Sequence, residues 1–346
     1  MNNVPAIESI GLRKTYRSGL FKRSGFEALK GIDFKVNQGE IFGLLGPNGA
    51  GKTTFVKVLL GVIHKSGGTA KILGREAGTQ NSRKEVGYLP ESLRIRGHHT
   101  AISAMRYYGQ LSGLSISTIK TREKPLLELV GLADRTKEGI RQFSKGMLQR
   151  LGLAQALLHE PKILMLDEPT DGLDPRARAE MRTTMIRLRN EGKTIFLNSH
   201  ILQEVEMVCD RVAILDRGVL KYCGAVKDVG KQLTNQRDQQ SWQVEIEVGG
   251  DTQRVKGVLA EYPVDLFEPA DPQTTRIQLR LQDQAAVDRI VDQIRGANLS
   301  LVSLSKAKIS LETAFLQLLD ENRQPAHPAY GAQPVVGGAV YPPSQF

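Results

Sequence analysis

Two short stretches of this sequence carry residue types that could handle phosphate. Gly46-Pro47-Asn48-Gly49-Ala50-Gly51-Lys52-Thr53 fits the pattern G-x-x-x-x-G-K-[ST], a loop whose backbone N–H groups wrap a polyphosphate. Its glycines keep side chains out of the way, and Lys52 brings a cation to the outer phosphates. The Thr53 hydroxyl suits Mg²⁺, and a helix beginning at Lys52 points its positive end at the anion. The second stretch, Ile163-Leu164-Met165-Leu166-Asp167-Glu168, is an apolar run ending in two acids. Asp167 is placed to hold Mg²⁺ directly or through water, which leaves Glu168 to polarise an attacking water as general base. A turn and a charged strand end are the plain alternatives for each stretch alone. Their joint presence favours a nucleoside triphosphatase.

Elements must exist to aim these groups. Short β-branched runs at 39–45, 162–166 and 194–197 read as buried strands, and helical patterns at Lys52–Val62 and Pro175–Glu191 follow. That alternation predicts an α/β layered domain over residues 5–237 with a mainly parallel sheet. A polar stretch at 231–240 reads as a hinge. The pattern then restarts as strand (242–248), helix (251–262), strands (264–267 and 275–281), helix (283–297) and strand (299–305). This is the βαββαβ order of a ferredoxin-like α+β domain, placed at 241–322. A last helix near Leu311–Leu319, capped by Ser310, is expected to cover that domain. Residues 323–346, dominated by Pro, Gly, Ala and Tyr, read as a disordered tail.

Three further stretches narrow the class. Phe143-Ser144-Lys145-Gly146-Met147-Leu148-Gln149-Arg150, placed shortly before Asp167-Glu168, resembles the signature motif of ABC ATPases. Gly172-Leu173-Asp174 resembles that family's D-loop, and Asn198-Ser199-His200 its switch-histidine loop. Tyr16 matches the aromatic that stacks on adenine. The resemblance covers about residues 5–230, with the motifs in the family's order. It implies a P-loop NTPase domain with a helical subdomain at about 91–142. It also implies ATP held by Tyr16, Gly46, Asn48, Gly49, Ala50, Gly51, Lys52, Thr53 and Thr54. Ser144 and Gly146 would complete the site from an opposite subunit. Lys52, Glu168 and His200 would carry the chemistry, with Mg²⁺ on Thr53 and Asp167.

Two departures mark a subfamily. Ser144-Lys145-Gly146-Met147 replaces the usual serine-glycine-glycine-glutamine, and Glu91, in Tyr88-Leu89-Pro90-Glu91, replaces a glutamine. Both are similar to bacterial exporter subunits of the drug and sodium efflux type, and Ser310-Leu311-Glu312-Thr313-Ala314-Phe315 resembles a motif near their ends. Glu91 is therefore a further candidate for Mg²⁺ through water, or for a salt bridge to a partner. The resemblance implies a homodimer or a pairing with a second ATPase subunit. It also implies transmembrane permease subunits on separate chains, docking around Arg94–Tyr108, and a place on the cytoplasmic face of the cell membrane.

Composition agrees without choosing. The net charge of +10 divides into about +15 before residue 238 and −5 from residue 238 onward. Such a basic first domain suits a nucleotide, a nucleic acid or an anionic membrane surface. No apolar run is long enough to span a bilayer, the N-terminus has no secretion-signal pattern, and Cys209 and Cys223 lack metal spacing. A soluble translation or DNA-repair ATPase of the same superfamily is the alternative. One cassette, two cysteines and no sustained heptads count against it, and no nucleic acid partner is expected. The basic insert Arg17–Gly25 reads as an exposed hairpin tip, or as a contact for lipid headgroups or a partner's acidic loop.

Overall fold

The structure is a computed structural model that describes residues 4–18, 24–229, 242–271, 273–281, 283–306 and 311–320. Its central sheet has six strands in the order β10 (Val219–Ala225), β9 (Arg211–Asp216), β3 (Ile41–Leu45), β8 (Thr194–Asn198), β7 (Ile163–Asp167) and β6 (Val86–Leu89). All neighbours run parallel except the β9–β10 hairpin. Alternate side chains of a strand point to opposite faces, so a strand covered on both sides must be apolar throughout. In β3, Ile41 and Leu45 enter one core while Phe42 and Leu44 enter the other. In β7, Leu164 and Leu166 divide from Ile163 and Met165 in the same way.

One face of this sheet packs on α1 (Lys52–Leu59) and on a second, antiparallel sheet. That sheet is formed by β1 (Ile7–Ser18), β2 (Ser24–Val36), β4 (Gly67–Ile72) and β5 (Arg75–Glu76). The rings of Phe34, Phe42, Phe55 and Phe196 stack between the layers at 5.0–6.0 Å. The antiparallel sheet is an addition to the expected parallel one. Its long β1–β2 hairpin pairs Arg17 with Gly25 and Ser18 with Ser24, which agrees with a hairpin there; residues 19–23 lie outside the described residues.

The other face carries helices. After a short α2 (Gln80–Arg83), α3 (Ala101–Leu111), α4 (Ile116–Leu129) and α5 (Lys145–Leu157) form a lobe. Arg106 fastens α3 to Glu123 of α4 through a two-pronged pair at 2.9 and 2.7 Å. Then come α6 (Pro175–Asn190) and α7 (Leu202–Val208).

The second domain follows the expected order, with β11 (Trp242–Gly249), α8 (Thr252–Val258), β12 (Val264–Asp271), β13 (Thr274–Leu281), α9 (Gln284–Gly296) and β14 (Ser300–Lys306). Its antiparallel order β12-β13-β11-β14 is that of a split βαβ domain. The last helix, α10 (Leu311–Asp320), does not cover this domain. It packs on α7, and Leu311 and Ala314 are buried in the ATPase core beside Val205 and Val208, with Phe315 and Leu318 against it. An apolar stripe on a helix demands a partner without naming it, and here the partner is the first lobe. Ser310 and the segments 231–240 and 323–346 lie outside the described residues.

Candidate active site

The loop between β3 and α1 is shaped by what surrounds it. A Cβ at Gly46 (φ 155°) would stand 2.3 Å from the Leu215 carbonyl oxygen, and one at Gly51 (φ 105°) 2.6 Å from that of Ala28. Only glycine fits both. The Ala50 N–H closes the turn on Pro47 O at 3.1 Å, and the Ala50 carbonyl accepts from Gly218 at 2.9 Å. Lys52 is buried and turned back over the loop, with Nζ donating to Gly46 O at 2.6 Å and to Pro47 O at 3.3 Å. Burial pulls its pKa down, and the negative charges of Glu168 and Asp167 oppose that pull. Thr53 and Thr54 occupy the first turn of α1. The Tyr16 hydroxyl lies 3.4 Å from Thr54 Oγ1, so the exposed ring stands at the mouth of the loop. Phe26, opposite Tyr16 in the hairpin, is 66% exposed.

The carboxylates sit at the end of β7, next to β8. Asp167 is buried, and its Oδ1 accepts from Asn198 Nδ2 at 2.5 Å while Oδ2 accepts from the Tyr88 hydroxyl at 3.3 Å. The Tyr88 phenol is pushed up to about 12, chiefly by burial and then by Asp167, with Glu91 adding to it. Glu168 leaves the strand with φ 49°, a left-handed conformation that costs roughly 1–2 kcal/mol outside glycine. Its N–H is held by Asn198 O at 2.8 Å. The carboxylate meets His200 Nδ1 at 2.8 Å and accepts from the His200 N–H at 3.3 Å. Two neighbouring strand ends thus put a buried acid, a strained second acid and a half-exposed imidazole in one row.

The remaining expected residues stand on the helical side. Ser144 is exposed and caps α5 by accepting from the Met147 N–H at 3.2 Å. Gly146 packs on α6, where an added Cβ would lie 3.4 Å from Ala177. Lys145, one of the residues that depart from the family pattern, pairs with Asp171 at 2.8 Å and holds that acid below the usual carboxylate range. Asp174 caps α6 through the Ala177 N–H. The Glu91 carboxylate is exposed, its backbone carbonyl accepts from Gln149 Nε2 at 3.0 Å, and its charge is felt at Tyr88.

The oxygen-only donors of Thr53 and Asp167 fit Mg²⁺, which keeps waters and substrate phosphates in its shell and needs few protein ligands. Among the described residues no group of three or more His, Cys, Asp or Glu forms a metal cluster. Phe26, Tyr88 and Asn198 were not singled out as site residues by sequence. Asn198 closes its strand level with Asp167, and Tyr88 stands level with Met165 near the end of its own; a polar residue closing an apolar run was the signal available in sequence.

The profile for ABC transporters matches residues 29–171. An ABC transporter ATP-binding protein of Synechocystis is 40% identical over 91% of this chain and 85% of its own length. The linearmycin resistance ATP-binding protein of Bacillus subtilis is 32% identical over 84% of this chain and 93% of itself. A Nod factor export ATP-binding protein of Rhizobium is 33% identical over 80% and 90%. A solved ATP-binding subunit of an ABC transporter, 31% identical, superposes with a TM-score of 0.59 over 66% of this chain and 93% of its own.

Proposed function

This chain belongs to the ABC transporter ATP-binding proteins, and from that premise we propose which of its residues and partners do the work. It binds and hydrolyses ATP to power export. Among the described residues no helix is long and apolar enough to cross a membrane, so the reading places the export path in separate transmembrane subunits. These dock on the helical lobe around the exposed Arg94, Arg96 and His98, where the rings of His98, His99 and Tyr107 lie in tilted contact. The chain then works peripherally on the cytoplasmic face of the membrane.

The single observation that carries the residue assignment is the Glu168–His200 contact beside buried Asp167. In this reading Tyr16 stacks on adenine, and the 46–54 loop with Lys52 holds the phosphates. Thr53 and Asp167 hold Mg²⁺, which draws off phosphate charge when bound. Glu168 takes the proton of the attacking water, and His200 keeps that carboxylate aimed. Ser144 and Gly146 stand apart on the helical side, so they would close on ATP bound by a second subunit in a head-to-tail twofold dimer. ATP joins the two faces, and its hydrolysis releases them.

The test is Glu168→Gln in the full chain with Mg·ATP, reading phosphate release and particle mass together. Turnover should fall at least about 100-fold, the range of general-base catalysis, while an ATP-dependent dimer accumulates. Hydrolysis by the variant at the wild-type rate would sink the assignment.

A further inference from the structure

Beyond the His200 contact, a second stitch joins the loop after Glu168 to α7. Thr170, buried two residues past Glu168, donates its hydroxyl to Glu204 Oε2. Glu204 lies in the first turn of α7, four residues after His200. His200 precedes the helix, whose N-cap Ile201 is extended, so the two stitches flank the entry into α7. Together they close a ring from Glu168 through Thr170, Glu204 and His200 back to Glu168.

The other oxygen, Glu204 Oε1, is buried and accepts no hydrogen bond. Its near cation is Arg178 of α6, with Nε at 3.8 Å, beyond hydrogen-bond reach. That Nε donates instead to the Leu173 carbonyl at 2.9 Å. Leu173 belongs to the 172–174 loop, which resembles the family's D-loop and would cross the interface of the head-to-tail dimer proposed above. One guanidinium therefore stands between an interface carbonyl and a buried carboxylate oxygen that lacks a donor. Leaving such an oxygen unpaired is unfavourable, so freeing Arg178 from Leu173 would draw it toward Glu204. Arg178 and His200 both act on Asp171, which keeps the three groups in one electrostatic neighbourhood.

We propose that Glu204 is a positioning residue for hydrolysis, which holds His200 on Glu168 by tying α7 to the loop behind the base and links that pair, through Arg178, to the 172–174 loop. The proposal rests on Glu168 being the base. Thr170 serves as its anchor, and no contact of Glu204 with nucleotide is required.

The test uses the full chain and two readouts. Glu204→Gln, Thr170→Val and Thr170→Ser are each made alone and together with His200→Ala. The kcat and KM for Mg·ATP are measured, along with backbone hydrogen exchange over residues 200–203. Glu204→Gln and Thr170→Val should lower kcat about tenfold, a small misplacement of a reacting group, with KM changed less than about twofold. On the His200→Ala background neither should lower it further. Exchange over 200–203 should quicken in both, and Thr170→Ser, which keeps the hydroxyl, should match wild type in both readouts. Unchanged exchange in folded Glu204→Gln overturns the proposal, and so does an equal kcat loss with and without His200. If Glu204→Gln fails to fold, the Thr170 pair decides by the same criteria. A Glu168→Gln control that still turns over would overturn the base assignment instead, and the exchange readout is independent of turnover.

Discussion

In the first lobe, Asp167, Glu168, Asn198 and Ser199 are all buried at the ends of two adjoining strands. In the second domain the charges stay on the solvent face of the sheet. There Arg276 meets Glu247 at 3.0 Å and Glu245 at 3.5 Å, and Arg280 meets Asp265 at 2.7 Å. The core behind them, around Val244, Ile246, Ile277 and Leu279, is apolar. Both regions lay helices on a sheet. One spends stability on desolvated acids and a left-handed glutamate, and the other keeps charge in water, where pairs contribute little. Chemistry is therefore expected from the first region and bulk from the second.

Paired substitutions break or sharpen that contrast. Glu168→Gln should cost at least about 100-fold in turnover and leave the melting midpoint nearly unmoved, as measured by calorimetry beside phosphate release. Ile277→Ala should do the reverse: about 2–5 kcal/mol of stability is lost through the cavity it leaves, with kcat per folded molecule intact. If it cut kcat in proportion, the second domain would be part of the catalytic machinery.

Tyr88→Phe tests how far the buried network extends. Losing one long hydrogen bond to Asp167 should cost about 1 kcal/mol in denaturant melts, with a few-fold fall in turnover. Arg276→Gln should move the midpoint less than Ile277→Ala does, and added salt should shrink the difference.

The smallest effect concerns pH. Burial holds the His159 pKa below its ordinary 6.5, so below that pH the unfolded chain takes up a proton that the folded one resists. Stability from this group is present above about 6.5 and falls as the pH drops through that value. His159→Gln should flatten the acid limb of a plot of melting midpoint against pH. An unchanged limb would show that His159 is solvated.

Much of this was legible in the sequence because local pattern carried it. The glycine-lysine-threonine loop and the acids closing an apolar strand announce themselves by type and spacing, and the βαββαβ order emerged from periodicity. What stayed hidden depends on contacts distant in sequence. Tyr88 reaches Asp167 across 79 residues, and Thr170 reaches Glu204 across 34. No window of sequence shows either. The antiparallel sheet was missed for the same reason, since β1 also pairs with β4 about sixty residues on. Leu311 and Phe315 advertised a stripe, and only the fold could show that it faces α7.

That docking changes how the chain's topology is understood. Val229, where the first lobe hands over, and Leu311, where α10 begins, belong to the same core. The small domain enters and leaves on neighbouring strands, with Val244 facing Lys306. Among the described residues the small domain therefore lies between two segments of the ATPase core, and α10 belongs to that core. Closing such a loop costs entropy that grows only slowly with its length, about 0.6 kcal/mol per doubling, so the inserted domain is free to vary in size. Cutting the chain after Val229 would also strip the cover from Val205 and Val208, whereas excising 242–306 and rejoining the ends would leave α10 seated.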